Sequence, residues 1–171
     1  MKRTIGVAIA IPRPYADELE GWRERFGDPA AHAIQAHVTL LPPTQVVDLA
    51  AVTEHLAGVA ARHTSFPVRL QGTGTFRPMS PVVYVRVAAG EPEIVTLEAD
   101  VRSGPLERRL RYAYHPHVTV AHDLPESTLA MAQRTLADYE AAFTADAITL
   151  YEMGSDGVWG PLRDFDLRPG A

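Results

Sequence analysis

Apolar and polar positions along this chain switch repeatedly between a strand-like and a helix-like period. Ile5 to Ile11 is a near-continuous apolar run that reads as a buried first strand. Tyr15, Leu19, Trp22 and Phe26 then recur at helical spacing. Pro14 suits the first turn of that helix, and Gly27-Asp28-Pro29 stops it. Ile34 to Leu41 reads as a second strand, ended by Pro42-Pro43. Thr44 is placed to cap a helix whose apolar positions are Leu49, Val52, Leu56 and Val59. Phe66 to Phe76 reads as a strand containing Gly72 and Gly74.

The same order then returns. Val82 to Val87 is strand-like, and Ile94, Leu97 and Val101 mark a helix interrupted at Gly104-Pro105. Val118 to Ala121 continues another strand. Asp123 and Glu126 have capping-box spacing, ahead of a helical series Leu129, Ala132, Leu136, Tyr139 and Phe143. Ile148 to Met153 and Val158 to Leu167 form a closing hairpin across Gly154-Ser155-Asp156-Gly157. The expected fold is α+β and bilobal. Two pseudo-twofold-related lobes of mainly antiparallel sheet line a central groove, with helices outside. The expected organisation is one domain over 1–171 with internal duplication, in approximate halves 1–78 and 79–171.

A motif marks the repeat. His37-Val38-Thr39-Leu40 returns eighty positions later as His117-Val118-Thr119-Val120. Residues two apart in a strand point to one face, so each copy offers an imidazole beside a hydroxyl. Imidazole titrates near pH 6.5, so both protonation forms are accessible at neutral pH. Two histidines flanking one phosphate can take a proton from water and give one to the leaving oxygen. Each such step is typically worth about 10²–10⁴-fold. Thr39 and Thr119 can donate to the non-bridging oxygens as charge develops. His37 and His117 are therefore the candidate catalytic pair, and Thr39 and Thr119 the candidate phosphate-binding pair.

Composition narrows the chemistry. The chain has no cysteine, which excludes disulfides, thiol nucleophiles and thiolate metal sites. A formal charge of −5 argues against a surface built to coat long nucleic acid. Fifteen of the sixteen basic residues are arginine, a bias that fits a GC-rich genome as well as phosphate recognition. No apolar run approaches the roughly 20 residues of a membrane span. The opening reads as a strand rather than a signal peptide, and a cytoplasmic location is expected.

The paired motif resembles the 2H phosphoesterases, in particular the bacterial 2′-5′ RNA ligase and RNA 2′,3′-cyclic phosphodiesterase branch. Pro116-His117-Val118-Thr119-Val120 is similar to the family's second motif, and His37-Val38-Thr39-Leu40 to its first. The Leu150 to Leu167 segment, with its glycines and Trp159, is similar to the family's C-terminal hairpin. The resemblance covers most of the chain. It implies a bilobal α/β fold, no metal or other cofactor, and hydrolysis of 2′,3′-cyclic phosphates at RNA ends or on nucleotides. It also allows for a reversible 2′-5′ RNA ligase activity. Many relatives carry Ala-Arg after the second motif, where this chain has Ala121-His122.

Further candidates for substrate contact are Arg77, His115, Phe76 and Trp159. Arg77 follows a strand in a loop, where its planar fork suits a phosphate. His115 shares strand parity with His117, although Pro116 by itself accounts for its extended backbone. Phe76 and Trp159 are the aromatics favoured for base stacking, among a set that includes Tyr84, Tyr112 and Tyr114. Arg108, Arg109 and Arg111 read as a solvated face. Two competing readings have distinct signatures. A metal-dependent hydrolase would use His115, His117, His122 and Asp123, but leaves both threonines unexplained. A non-catalytic nucleotide- or RNA-binding protein would not require two titrating groups. The expected partner is an RNA end or small nucleotide carrying a cyclic phosphate, bound by a monomer away from membranes.

Overall fold

A computed structural model describes residues 1–170. Twelve main elements follow in order: β1 (Arg3–Ala10), α1 (Tyr15–Arg25), β2 (His37–Val46), α2 (Leu49–Arg62), β3 (Phe66–Thr75), β4 (Val82–Ala89), α3 (Glu91–Val101), β5 (His117–His122), α4 (Glu126–Thr135), β6 (Glu140–Ala145), β7 (Ala147–Met153) and β8 (Trp159–Asp166). They build two four-stranded antiparallel sheets, ordered β2-β1-β7-β8 and β5-β4-β3-β6. The expected two-lobed α+β architecture is the observed one.

The sheets do not follow the expected halves 1–78 and 79–171. β3 leaves the first half to join the second sheet, and the β7–β8 hairpin returns to the first sheet. Helices also cross: α1 packs against β5, and α3 against β2. A single hydrophobic cluster therefore runs through both sheets, from Ile5 and Ile9 to Val85 and Val118. Such interleaving makes independent unfolding of one half costly, since each half carries strands the other sheet needs.

β1 shows why an apolar run can still line a groove. Ile5, Val7 and Ile9 are almost fully buried, at 0–2% exposure. Gly6 and Ala8 lie between them and Ala10 follows, all small enough to leave space on the opposite face.

Several local expectations are corrected. β2 does not stop at Pro42-Pro43 but continues to Val46. It is an edge strand, where a missing N–H costs no ladder bond, and its register slips beside the prolines. Thr44 donates to the Pro42 carbonyl (2.7 Å) instead of capping α2. Asp48 is the cap, accepting from Ala51 N–H at 2.9 Å. Asp123 adopts φ 54° and does not cap α4, which begins after Pro125 without a side-chain cap. Its box partner Glu126 pairs with Arg77 instead. The helical series 129–143 also breaks: α4 ends at Thr135, and 140–145 is the strand β6, paired with β3. Alternating Ala141, Phe143 and Ala145 lies in register with the buried Leu70, Val68 and Phe66, and this pairing overrides the helical period.

Candidate active site

β2 and β5 are the corresponding edges of their sheets, and they lie against each other. Each carries its His-x-Thr triplet at the start of the strand. In both triplets the histidine and threonine are half-buried and the intervening valine is fully buried. A register shift follows each triplet. Val7 pairs Leu41 and Ala8 pairs Thr39; Val83 pairs Ala121 and Tyr84 pairs Thr119. The extra residue lets two successive apolar side chains, Leu40-Leu41 and Val120-Ala121, both enter the core. After the bulge the burial pattern resumes with His122 half-buried, as His117 and Thr119 are.

The two imidazoles are held alike. Nδ1 of His37 lies 2.7 Å from the Gln35 carbonyl, and Nδ1 of His117 lies 2.7 Å from the His115 carbonyl. A carbonyl can only accept, so Nδ1 carries the proton and Nε2 presents its lone pair when the ring is neutral. Nε2 of His37 is 3.1 Å from the Thr39 hydroxyl. Burial lowers the pKa of His37 to about 4, aided by nearby Arg23 and by His117 itself. Burial also lowers the pKa of His117, with His115 acting in the same direction, while the backbone hydrogen bond opposes both shifts. Both rings are thus biased toward neutrality.

The surroundings of the two rings differ. The His37 side is a small cavity of about 110 Å³, lined by Thr39, Gly6, Ala8, Ile34, Tyr151 and Trp159. The Trp159 ring passes so near Gly6 that a Cβ there would sit 3.4 Å from it. The His117 side opens into a cavity of about 470 Å³, whose wall includes Thr39, Phe76, His115 and Tyr114. The Phe76 ring stands edge-on to His117 at 4.8 Å, and Tyr84 is 5.3 Å away. Tyr84 needs a glycine at 74, because a Cβ there would come within 2.6 Å of its hydroxyl. The Tyr114 hydroxyl donates to the Thr39 carbonyl at 2.7 Å and ties the approach to β5 onto β2.

Of the further candidates, Phe76 and His115 line the larger cavity and Trp159 the smaller. Arg77 is directed elsewhere: its guanidinium is taken by the Glu126 carboxylate, by Gln133 (2.7 Å) and by Thr75 (3.0 Å). Its fork braces α4 against the end of β3. His122 lies 3.4 Å from the Asp123 carboxylate. Among the described residues no three His, Asp or Glu side chains gather as a set that could hold a metal ion. Sequence reasoning passed over Gln35, whose carbonyl orients His37, and Glu98, which is buried at 2% exposure on the wall of the larger cavity. Glu98 had a signal: it falls on the apolar face of α3, between Leu97 and Val101.

Residues 11–157 match the family described as the 2′-5′ RNA ligase superfamily. The chain belongs to that superfamily. The resemblance to 2H phosphoesterases carried by the two motifs is thereby borne out, and membership supports phosphodiesterase-type activity. A Bacillus thuringiensis (strain Al Hakam) protein named "Putative phosphoesterase" is 26% identical over 170 residues, spanning 97% of this chain and 98% of its own. Among solved structures, E. coli LigT complexed with NADP+ has a TM-score of 0.72 at 22% identity, covering 98% of this chain and 99% of its own. LigT complexed with 3′-AMP has the same TM-score at 20% identity and the same coverage. TT0787 of Thermus thermophilus scores 0.64 at 18% identity, covering 98% of this chain and all of its own. These structures share the fold. Among the described residues no helix is long and apolar enough to cross a membrane.

Proposed function

We propose that this superfamily member hydrolyses 2′,3′-cyclic phosphates on nucleotides or RNA ends without a metal, using His37 and His117 as acid and base. The observation that carries the reading is the duplicated tether: each Nδ1–H is donated to the carbonyl two residues upstream, which leaves Nε2 as the basic nitrogen of each ring, that of His37 beside the Thr39 hydroxyl. In the reaction, one neutral Nε2 takes a proton from water as its oxygen bonds to phosphorus. The other ring, protonated, gives its proton to the ribose oxygen as the opposite P–O bond breaks. The product is a nucleoside phosphomonoester. In-line attack and departure suit two separate strands.

Thr39 and Thr119 would donate to the non-bridging oxygens and stabilise the added charge. A bound phosphate anion raises the pKa of the ring that must stay protonated, offsetting the burial that holds it neutral in the free protein. LigT, of the same fold, forms complexes with 3′-AMP, ATP and NADP+. Those complexes favour a nucleotide substrate here. With an RNA 5′-hydroxyl in place of water as the nucleophile, the same step, breaking the 3′ P–O bond, joins a 2′-5′ linkage.

The test is hydrolysis of 2′,3′-cyclic nucleotides by dialysed protein in excess EDTA. Turnover that persists and vanishes in both His37→Ala and His117→Ala supports the reading. Activity lost to EDTA and restored by a divalent ion moves the assignment to a metal-dependent hydrolase. Nucleotide binding without turnover moves it to a binding protein.

A further inference from the structure

We infer that the larger cavity is a base pocket selective for guanine, with Glu98 as the acceptor that reads the ring; this rests on the cyclic-nucleotide reading above. The cavity is continuous with the groove, because Thr39 and His117 are part of its wall. A phosphate held between the two motifs therefore places its nucleoside at this opening. The volume, about 470 Å³, falls within the size range of small-molecule pockets, whereas the roughly fourfold smaller space beside His37 does not. Phe76 and Tyr112 supply aromatic surface for a flat ring.

Within this apolar enclosure lies one buried carboxylate. Glu98 is held by Arg102 one helical turn on, at 2.6 Å to one oxygen and 3.4 Å to the other. A carboxylate offers about four acceptor positions, and Arg102 fills two. Among the described residues Arg102 is its side-chain hydrogen-bond partner, and the cavity that Glu98 lines is largely apolar, a setting where an unmet acceptor is costly. The ion pair is already neutral overall, so a neutral donor satisfies it and a cation would add an uncompensated charge. Guanine alone among the common bases presents two adjacent N–H donors, N1 and N2. Adenine and cytosine set a donor beside an acceptor, and uracil sets its N–H between two carbonyls. Sites built to hydrogen-bond a ligand reject analogues that leave the buried group unpaired.

The experiment compares kcat/KM on guanosine and uridine 2′,3′-cyclic phosphates for the native protein and Glu98→Gln, with melting curves as a folding control. The native protein is expected to favour guanosine by about tenfold or more, and Glu98→Gln to bring the ratio within about threefold of unity. No guanosine preference, or a preference that survives the substitution, overturns the inference. If Glu98→Gln fails to fold, Ala113→Trp takes its place: Ala113 is exposed and lines the same cavity. Filling the cavity must then erase the preference, and a ratio that stays put overturns the pocket. If the native protein hydrolyses neither nucleotide, the phosphodiesterase reading fails by itself. The pocket is then judged by calorimetry with guanosine and uridine 3′-monophosphates. Binding about tenfold tighter for guanosine, lost in Glu98→Gln, sustains it, and equal binding overturns it.

Discussion

The His37 and His117 sides of the groove carry the same triplet, the same bulge and the same Nδ1 tether, yet their surroundings diverge. His37 sits beside small residues of β1 under Trp159, with its Nε2 on Thr39. His117 is set against the aromatic rings of Phe76 and Tyr84 and opens onto the larger cavity. The difference traces to the neighbouring strands. β1 offers Gly6 and Ala8 where β4 offers Val82 and Tyr84, and only Gly74 on β3 makes room for that tyrosine. A repeated motif thus specifies local orientation, while the adjacent strand decides what the motif faces.

Removing the imidazoles is the strongest way to test how alike the two sides are. His37→Ala and His117→Ala should each lower kcat at least about 10²-fold on a 2′,3′-cyclic nucleotide. The double variant should lose less than the product of the single losses, since groups that act together are non-additive. Near-normal turnover in either single variant breaks the paired mechanism.

Removing the hydroxyls should separate the sides. Thr39→Ala and Thr119→Ala should each cost less than the histidine changes, on the order of tenfold or more in kcat. Thr39 also contacts His37 Nε2, so its loss should shift the pH profile as well as the rate, whereas Thr119→Ala should lower the rate alone. Identical pH profiles would deny Thr39 that second role.

Acid stability gives a readout independent of activity. His37 has its folded pKa lowered from about 6.5 to about 4, so the unfolded chain binds the proton more readily between those values. Stability from this group is complete above about pH 6.5 and is lost as pH falls toward 4. The loss should be on the order of 2–3 kcal/mol, measured by denaturant titration at pH 7 and pH 4. His37→Gln should remove most of it. His117 adds in the same direction.

The smallest expected effect concerns the limbs of the rate profile. With both rings biased toward neutrality, kcat/KM should peak on the acid side of the ordinary imidazole value. The basic limb of kcat should lie higher, because bound phosphate favours the protonated ring. Coincident basic limbs would mean the phosphate does not raise the acid's pKa.

Much of the architecture was legible in the sequence because it is local. Strand parity placed each histidine and threonine on one face, and the hairpin across Gly154-Ser155-Asp156-Gly157 was readable from its flanking alternation. The signals that misled were local too. Capping spacing suggested Thr44 and Asp123, but Asp48 is the cap of α2 and Asp123 adopts a left-handed backbone. A helical period suggested a single helix to Phe143, where pairing with β3 draws the last residues into β6.

The sequence by itself determined the two His-x-Thr triplets, their parity, the order of most elements and the absence of thiol chemistry. Each depends on residues within a few positions of one another. Tertiary structure decided which strands became the facing edges, how β3 and the β7–β8 hairpin exchanged sheets, that Glu126 takes Arg77, and that one side of the groove is roomy and the other tight. These outcomes rest on contacts such as Tyr114 to Thr39 or Arg77 to Glu126, between residues 75 and 49 positions apart. Such partners become neighbours only when the whole chain has buried its shared core.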